Sequence, residues 1–339
     1  MNDKFFLTYE QQMSRLNSEK HILCSGSAHK RMLVRSGYFN LINGYKMPFT
    51  CGTDASGNHV YLPETSLDQI YMLKLFDDRL RSFVLRNITQ VEEEVRAAVA
   101  YAFDKCNSEG AIQWYDVDAY SHDARLQDKM HVISSAYSEL SRSHLDYVKF
   151  YMENHHQIPT WIMIKAVNFS TFIDILDFSK QDVRQALCRL YGMNDPTSNF
   201  KLLIGSLHWL RKVRNSCAHN ERVYSISRPV GRIVEPYISA LRPSYSRERG
   251  QTLFDLLIYL KYYLPPMEFS GVVSDFKAIL FELKGNIAPA AFENVRGQMG
   301  VKSISDLDLL ASLPKGEIDY AGFEVTVHGS PCPGYKKGL

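Results

Sequence analysis

The chain has 339 residues, 45% hydrophobic and 22% charged, with a net charge of +2. That is enough for one large domain or two ordinary ones with a substantial core, and it excludes a disordered or collagenous chain. The longest apolar run, Leu256 to Leu260, stops at Lys261 far short of a membrane span, so no membrane-spanning helix is expected.

The start, Met1 to Leu7, is acidic at Asp3 and lacks the form of a secretory leader. The cysteines (24, 51, 106, 188, 217 and 332) lie no closer than about 27 residues apart. They form no C-x-x-C pair, which predicts reduced thiols in a cytoplasmic protein. Residues 5–50 are basic and aromatic, and the rings concentrate in Gly37 to Phe49, flanked by Lys30, Arg31, Arg35 and Lys46. Rings among cations can stack and hold single-stranded nucleic acid, so Tyr38, Tyr45, Lys30, Arg31 and Lys46 are candidate RNA contacts. The same rings would serve equally as core. Thr53 to Asn58 has turn composition, and Val60 to Leu62 suits a short strand.

Ser66-Leu67-Asp68-Gln69 has capping-box spacing and predicts the start of a long helix. Apolar residues then recur with a 3.6-residue period from Ile70 to Ala102. A loop is expected over 105–125 and a single helical stretch from about Asp123 to Asn154. Another helix runs from Thr160 on through Leu176, and one over Lys180 to Tyr191 stops at Gly192. Asp195 to Ser198 can cap a further helix. Pro229, Gly231, Pro236 and Pro243 mark an irregular connection. Helices over Thr252–Leu264 and Gly271–Lys284 follow, and Tyr320 to His328 reads as one or two strands. The fold is therefore expected to be mostly α. It divides into an N-terminal basic and aromatic segment (1–65), a helical core (66–265), and a C-terminal helix with a tail (266–339).

The helix after residue 196 carries an arginine where an apolar residue belongs. With 100° per residue and Leu203 at zero, Phe200, Leu207, Leu210 and Cys217 fall within about 60°. Arg214 falls at about 20°, inside that apolar stripe. A guanidinium there needs a partner, because burying an unpaired one costs several kcal/mol. Asp77 and Glu92 of the long helix are candidate partners. Asn215 and His219 sit one turn apart on the adjoining face, at about 120° and 160°, with Arg211, Lys212 and Arg222 nearby. Residues 201–250 hold ten Lys/Arg against three acids, a local +7 that suits a polyanion.

A cation, an amide and an imidazole suit RNA cleavage through the ribose 2′-hydroxyl. Histidine moves the protons, arginine binds phosphate oxygens in bidentate fashion, and asparagine can fix the imidazole tautomer. No metal or other cofactor is required. One histidine per chain is a thin supply of both acid and base, which two chains meeting across this helix would remedy. In the plainer reading, His219 only caps the helix, favoured there by the dipole.

Arg214-Asn215-Ser216-Cys217-Ala218-His219 resembles the R-x(4–6)-H signature of the HEPN superfamily. Other segments resemble its Abi-like (abortive infection) branch. They are Gly37 to Tyr45, similar to G-Y-Y-x-L-x-G-Y, and Phe76 to Arg81 continuing to Val91–Arg96, similar to F-D-x-x-L-R and I-E-x-x-x-R. Pro159 to Phe169 is similar to P-x-W-x-x-x-E. Lys165 stands where the family often has Glu, and Ser170 where it has Gly. The resemblance implies a HEPN-type helical bundle and a homodimer whose two motifs form one composite site. It also implies a metal-independent endoribonuclease of phage defence or toxin type, associated with a small noncoding RNA. Arg214 and His219 would then be catalytic and Asn215 supporting. The alternatives are a non-cleaving module that holds a structured small RNA, and a scaffold in which the motif helix only packs a dimer.

Overall fold

The computed structural model describes residues 6–107, 111–193, 196–228, 251–315 and 318–319, with the side chains of 196–199 left aside. Helices α1 (Tyr9–Ser18) and α2 (Gly26–Ser36) open the chain, followed by a π-helical turn over Phe39–Asn43 and a 3₁₀ turn over Met47–Phe49. Strands β1 (Thr50–Thr53) and β2 (His59–Tyr61) form an antiparallel hairpin, with Thr53 opposite His59 and a bulge between Thr50 and Gly52. Its turn is closed by Asp54, whose Oδ1 accepts from the backbone N–H groups of Ser56 and Asn58, both at 2.8 Å.

Helix α3 (Leu67–Cys106) is the axis of the fold. Its 40 residues span about 60 Å. Ser66 caps it by accepting from the Gln69 N–H at 3.3 Å, but the Gln69 side chain turns to the Glu64 carbonyl, so the capping box is only half made. Its buried stripe includes Ile70, Leu73, Leu80, Val84, Ile88, Val91, Val95 and Val99, the periodicity read from sequence. Truncating one of these leucines or isoleucines to alanine should cost about 2–5 kcal/mol.

The remaining helices pack on this rod or on its neighbours. They are α4 (Leu126–Ser141), α5 (Asp146–Asn154), α6 (Thr160–Ala166), α7 (Phe169–Phe178), α8 (Gln181–Leu190) and α9 (Pro196–Ala218). After the 229–250 connection come α10 (Leu253–Tyr263), α11 (Pro266–Lys284), α12 (Pro289–Gln298) and α13 (Ile304–Ser312). Helices α6, α8, α9 and α11 lie along α3, and α7 bridges α4 and α9. One continuous core runs from Leu33 and Leu41 through the α3 stripe to Leu280 and Leu307.

Two expected helices are each broken in two. The stretch from Asp123 to Asn154 breaks over residues 142–145, where Leu145 is extended and donates its N–H to the Ser143 hydroxyl. The stretch from Thr160 to Leu176 breaks at Val167-Asn168, where Asn168 Oδ1 accepts from the N–H groups of Ser170 and Thr171 and starts α7 afresh. Gly192, at φ 66°, ends α8 as expected, because that left-handed backbone suits glycine. Where only a tail was expected after the helix ending at Lys284, α12 and α13 are regular helices. The buried Lys261 ties the second of them down by donating to the Leu310 and Ala311 carbonyls at 2.8 and 3.2 Å. The strand reading of Tyr320 to His328, the turn at Asp195, and the connection holding Arg232, Arg242, Arg247 and Arg249 lie outside the described residues. Among the described residues no helix is long and apolar enough to cross a membrane.

Candidate functional site

Helix α9 is fixed by its apolar stripe. Leu203, Leu207 and Leu210 are fully buried and Cys217 nearly so, against α3, α7, α8 and α10 of the same chain. Burial pushes the Cys217 thiol up to about 12. The stripe is thus used up within one chain. Ser206, buried on this side, shares a hydrogen bond with the Tyr263 hydroxyl at 2.7 Å.

The helix stops where the motif ends. Asn220 adopts φ 55°, its N–H donates to the Cys217 carbonyl at 3.2 Å, and the Glu221 N–H donates to the Ser216 carbonyl at 2.9 Å. This is a Schellman closure with asparagine in the left-handed position, and His219 is the capping residue. The ring of His219 is therefore placed by the end of the helix and is exposed. Along the outer face, His208, Arg211, Lys212, Asn215 and His219 line one hollow of about 530 Å³, joined by Arg228 and Glu221. Burial, then Arg211 and Arg228, push His208 down to about 4, so it is neutral near pH 7. Sequence reasoning passed over His208, although eleven residues return a helix to within about 20° of the same face, in register with His219.

A buried carboxylate holds the chain as it leaves α9. Asp77 of α3 accepts from the backbone N–H groups of Val223 and Tyr224 at 3.1 and 2.9 Å, from the Tyr45 hydroxyl at 2.9 Å, and from Arg81 at 2.7 Å. Burial raises its pKa, and these donors oppose the rise. Arg222 donates to the Gly44 carbonyl at 2.6 Å and lies over the Tyr224 ring. The N-terminal segment and the α9 exit are thereby clasped to the same turn of α3.

Arg214 is not sealed in the core. Its side chain is 39% exposed, and its Nε lies 3.6 Å from Glu92 Oε2, an ion-pair contact too long for a hydrogen bond. Its Nη1 is 3.4 Å from Asn215 Oδ1. Arg214 lines a cleft of about 1140 Å³ between α3 and α6, and a smaller hollow shared with Asn215, Arg211 and Lys165. His219 lines the α9 hollow and another under the N-terminal segment. None of these four hollows is lined by both. The expected convergence of cation, amide and imidazole is thus incomplete in one chain. Asn215 borders each partner, while Glu92 draws Arg214 toward α3.

The remaining expected RNA contacts divide. Arg211 bonds the Ser170 hydroxyl, and the exposed Lys212 donates to the Ser227 carbonyl at 2.9 Å. Arg31 is exposed. Lys30 pairs with Glu10, and burial and Lys20 lower the pKa of Lys46. Tyr45 is 7% exposed and engaged with Asp77, so its expected role as a stacking ring is corrected to a core role. Tyr38 is half-buried and packs on the core. The ring that does face solvent is Phe39, 72% exposed, in the hollow of about 880 Å³ that His219 also lines. Among the described residues no group of three or more His, Cys, Asp or Glu is placed to hold a metal ion.

The face as built can bind an anion through Arg211, Lys212 and Arg228 beside an accessible imidazole. No curated protein and no solved structure gave a significant match to the chain. The family model described as Abi-like protein does match, over residues 31–225. That range starts within α2 and ends just past Tyr224, so it takes in every partner of Asp77 and the whole of α9, and it exceeds half of the chain. On this ground the chain belongs to the Abi-like protein family.

Proposed function

We propose that the protein is a metal-independent endoribonuclease of the HEPN type, acting in abortive infection or as a toxin, and that it cuts RNA at the α9 face. The observation that carries this reading is His219 at the open end of α9, one turn from Asn215 and in one hollow with Arg211, Lys212 and Arg228. In the reaction, a base takes the proton of a ribose 2′-hydroxyl and its oxygen attacks the adjacent phosphorus. The P–O5′ bond breaks, the leaving oxygen takes a proton, and the products end in a 2′,3′-cyclic phosphate and a 5′-hydroxyl. Histidine can serve either proton step near neutrality, and the arginines offset the charge that builds on phosphorus. His208 does not supply the second group, since it stands about 16 Å from His219 along the helix. A second copy of the chain, motif against motif, would supply it and could bring an Arg214 to the His219 of its partner. A bound small noncoding RNA would hold the nuclease in check.

The engagement of Arg214 by Glu92 favours a second reading, an RNA-holding protein that does not cut. The two separate in one assay. The purified chain is incubated with RNA in EDTA, and its mass is measured by light scattering. Cleavage that is lost in a folded His219→Ala variant supports the nuclease. Co-purifying RNA with no cleavage supports the holder, and cleavage retained by His219→Ala sinks the assignment.

A further inference from the structure

Phe39 stands outside the core of the described residues. Its neighbours Leu41 and Ile42 are fully buried, whereas its own ring is 72% exposed. Among the described residues no other ring or cation is stacked on it. The segment that carries it is held at both ends. Gly37 supplies the positive φ of 72° that turns the chain out of α2, and the Leu41 N–H donates to the Gly37 carbonyl at 3.0 Å. At its other end the Gly44 carbonyl is held by Arg222 and Tyr45 by Asp77. An exposed ring mounted on an ordered segment loses little freedom when it binds something flat.

The surroundings say what that is. The hollow beside the ring is lined by Arg35, Lys74, Arg81 and Arg222 together with His219. Lys74 and Arg81 are taken up by Asp78 and Asp77, which leaves the exposed Arg35 and Arg222 as the cations it offers. Asn40 and Asn43 add amides on the same wall. A polyanion carrying flat apolar groups fits such a surface, its phosphates meeting the cations and its bases the ring and the amides.

We propose that the Phe39 ring is the platform on which one unpaired nucleobase stacks as the strand enters the hollow of His219. This rests on the reading of that region as an RNA site and adds a requirement to it. The nucleotide beside the reacting phosphate must be out of any helix, because within a helix both faces of a base are covered by its stacked neighbours.

The test is equilibrium binding of the full chain to a fluorescent adenosine decamer with 2′-O-methyl riboses, which cannot be cleaved, and to the same backbone with abasic residues. Wild type should prefer the base-bearing strand. Phe39→Ala should weaken that strand by about tenfold or more and leave the abasic one unchanged. Phe39→Trp should keep the preference. Equal affinity of wild type and Phe39→Ala for the base-bearing strand would overturn the platform, as would a wild type that binds both strands alike or neither. Cleavage is scored separately on unmodified RNA. Cutting that does not respond to Phe39→Ala removes the platform and leaves the nuclease, and stacking without cutting does the reverse.

Discussion

Glu92 Oε2 lies 3.6 Å from Arg214 Nε, and the same carboxylate accepts from Arg96 at 2.8 Å through its other oxygen. Glu92 is only 12% exposed on its side chain, so one shielded carboxylate serves two guanidinium groups. Arg96 is further held by the Ile164 and Val167 carbonyls and lies over the Phe172 ring, which leaves Arg214 as the partner free to exchange Glu92 for phosphate.

Glu92→Gln keeps the volume and removes the charge. Its cost in stability should be about 1–3 kcal/mol, since Arg96 keeps its carbonyl acceptors. The released Arg214 should add roughly one phosphate contact, steepening the logarithmic salt dependence of RNA binding by about 0.7–0.9. An unchanged slope would show that Arg214 does not meet the backbone.

Asp77→Ala should be the more damaging change. It strips the acceptor from Tyr45, Arg81 and two backbone N–H groups at once, leaving Arg81 without its main partner. Breaking such a buried pair costs about 3–5 kcal/mol. Denaturant unfolding measures that loss. Amide hydrogen exchange should show Val223 and Tyr224 exchanging freely, while α9 up to Leu210 stays protected.

His208 makes stability depend on pH. Its folded pKa of about 4 lies below the ordinary value of 6.5, so the unfolded chain binds more protons between those values. This contribution is full above pH 6.5 and is lost as pH falls toward 4. After allowance for its half-buried position the loss is roughly 1–2 kcal/mol. Melting curves at pH 7 and pH 4.5 should therefore differ more for wild type than for His208→Gln. Equal differences would contradict the assignment.

Much of this was legible in the sequence. The 3.6-residue period marked α3, and the same count placed Leu203, Leu207, Leu210 and Cys217 on one buried stripe of α9. Glu92 was one of two carboxylates proposed to meet Arg214. The breaks inside the two long helical stretches were harder, because neither holds a proline or glycine. Asn168, an N-cap residue type, was the available signal for one of them. The fate of the rings could not be read locally. Tyr45 is buried by a carboxylate 32 positions on, while Phe39, six residues earlier, is left outside. Composition treats those rings alike, and only the tertiary clasp at Asp77 separates them. His208 could have been found by extending the face of Asn215 and His219 two turns back.

The most direct measurement is the chemistry of the cut ends. RNA incubated with the full chain in EDTA, and the same RNA with a single 2′-deoxyribose at the cleaved position, are compared by mass spectrometry for wild type and for His219→Ala. The expected result is 2′,3′-cyclic phosphate and 5′-hydroxyl ends from wild type on RNA alone. The deoxy substrate and the variant should yield neither. Cleavage of the deoxy substrate, or wild-type cleavage by His219→Ala, would contradict a cut made through the 2′-hydroxyl at the end of α9.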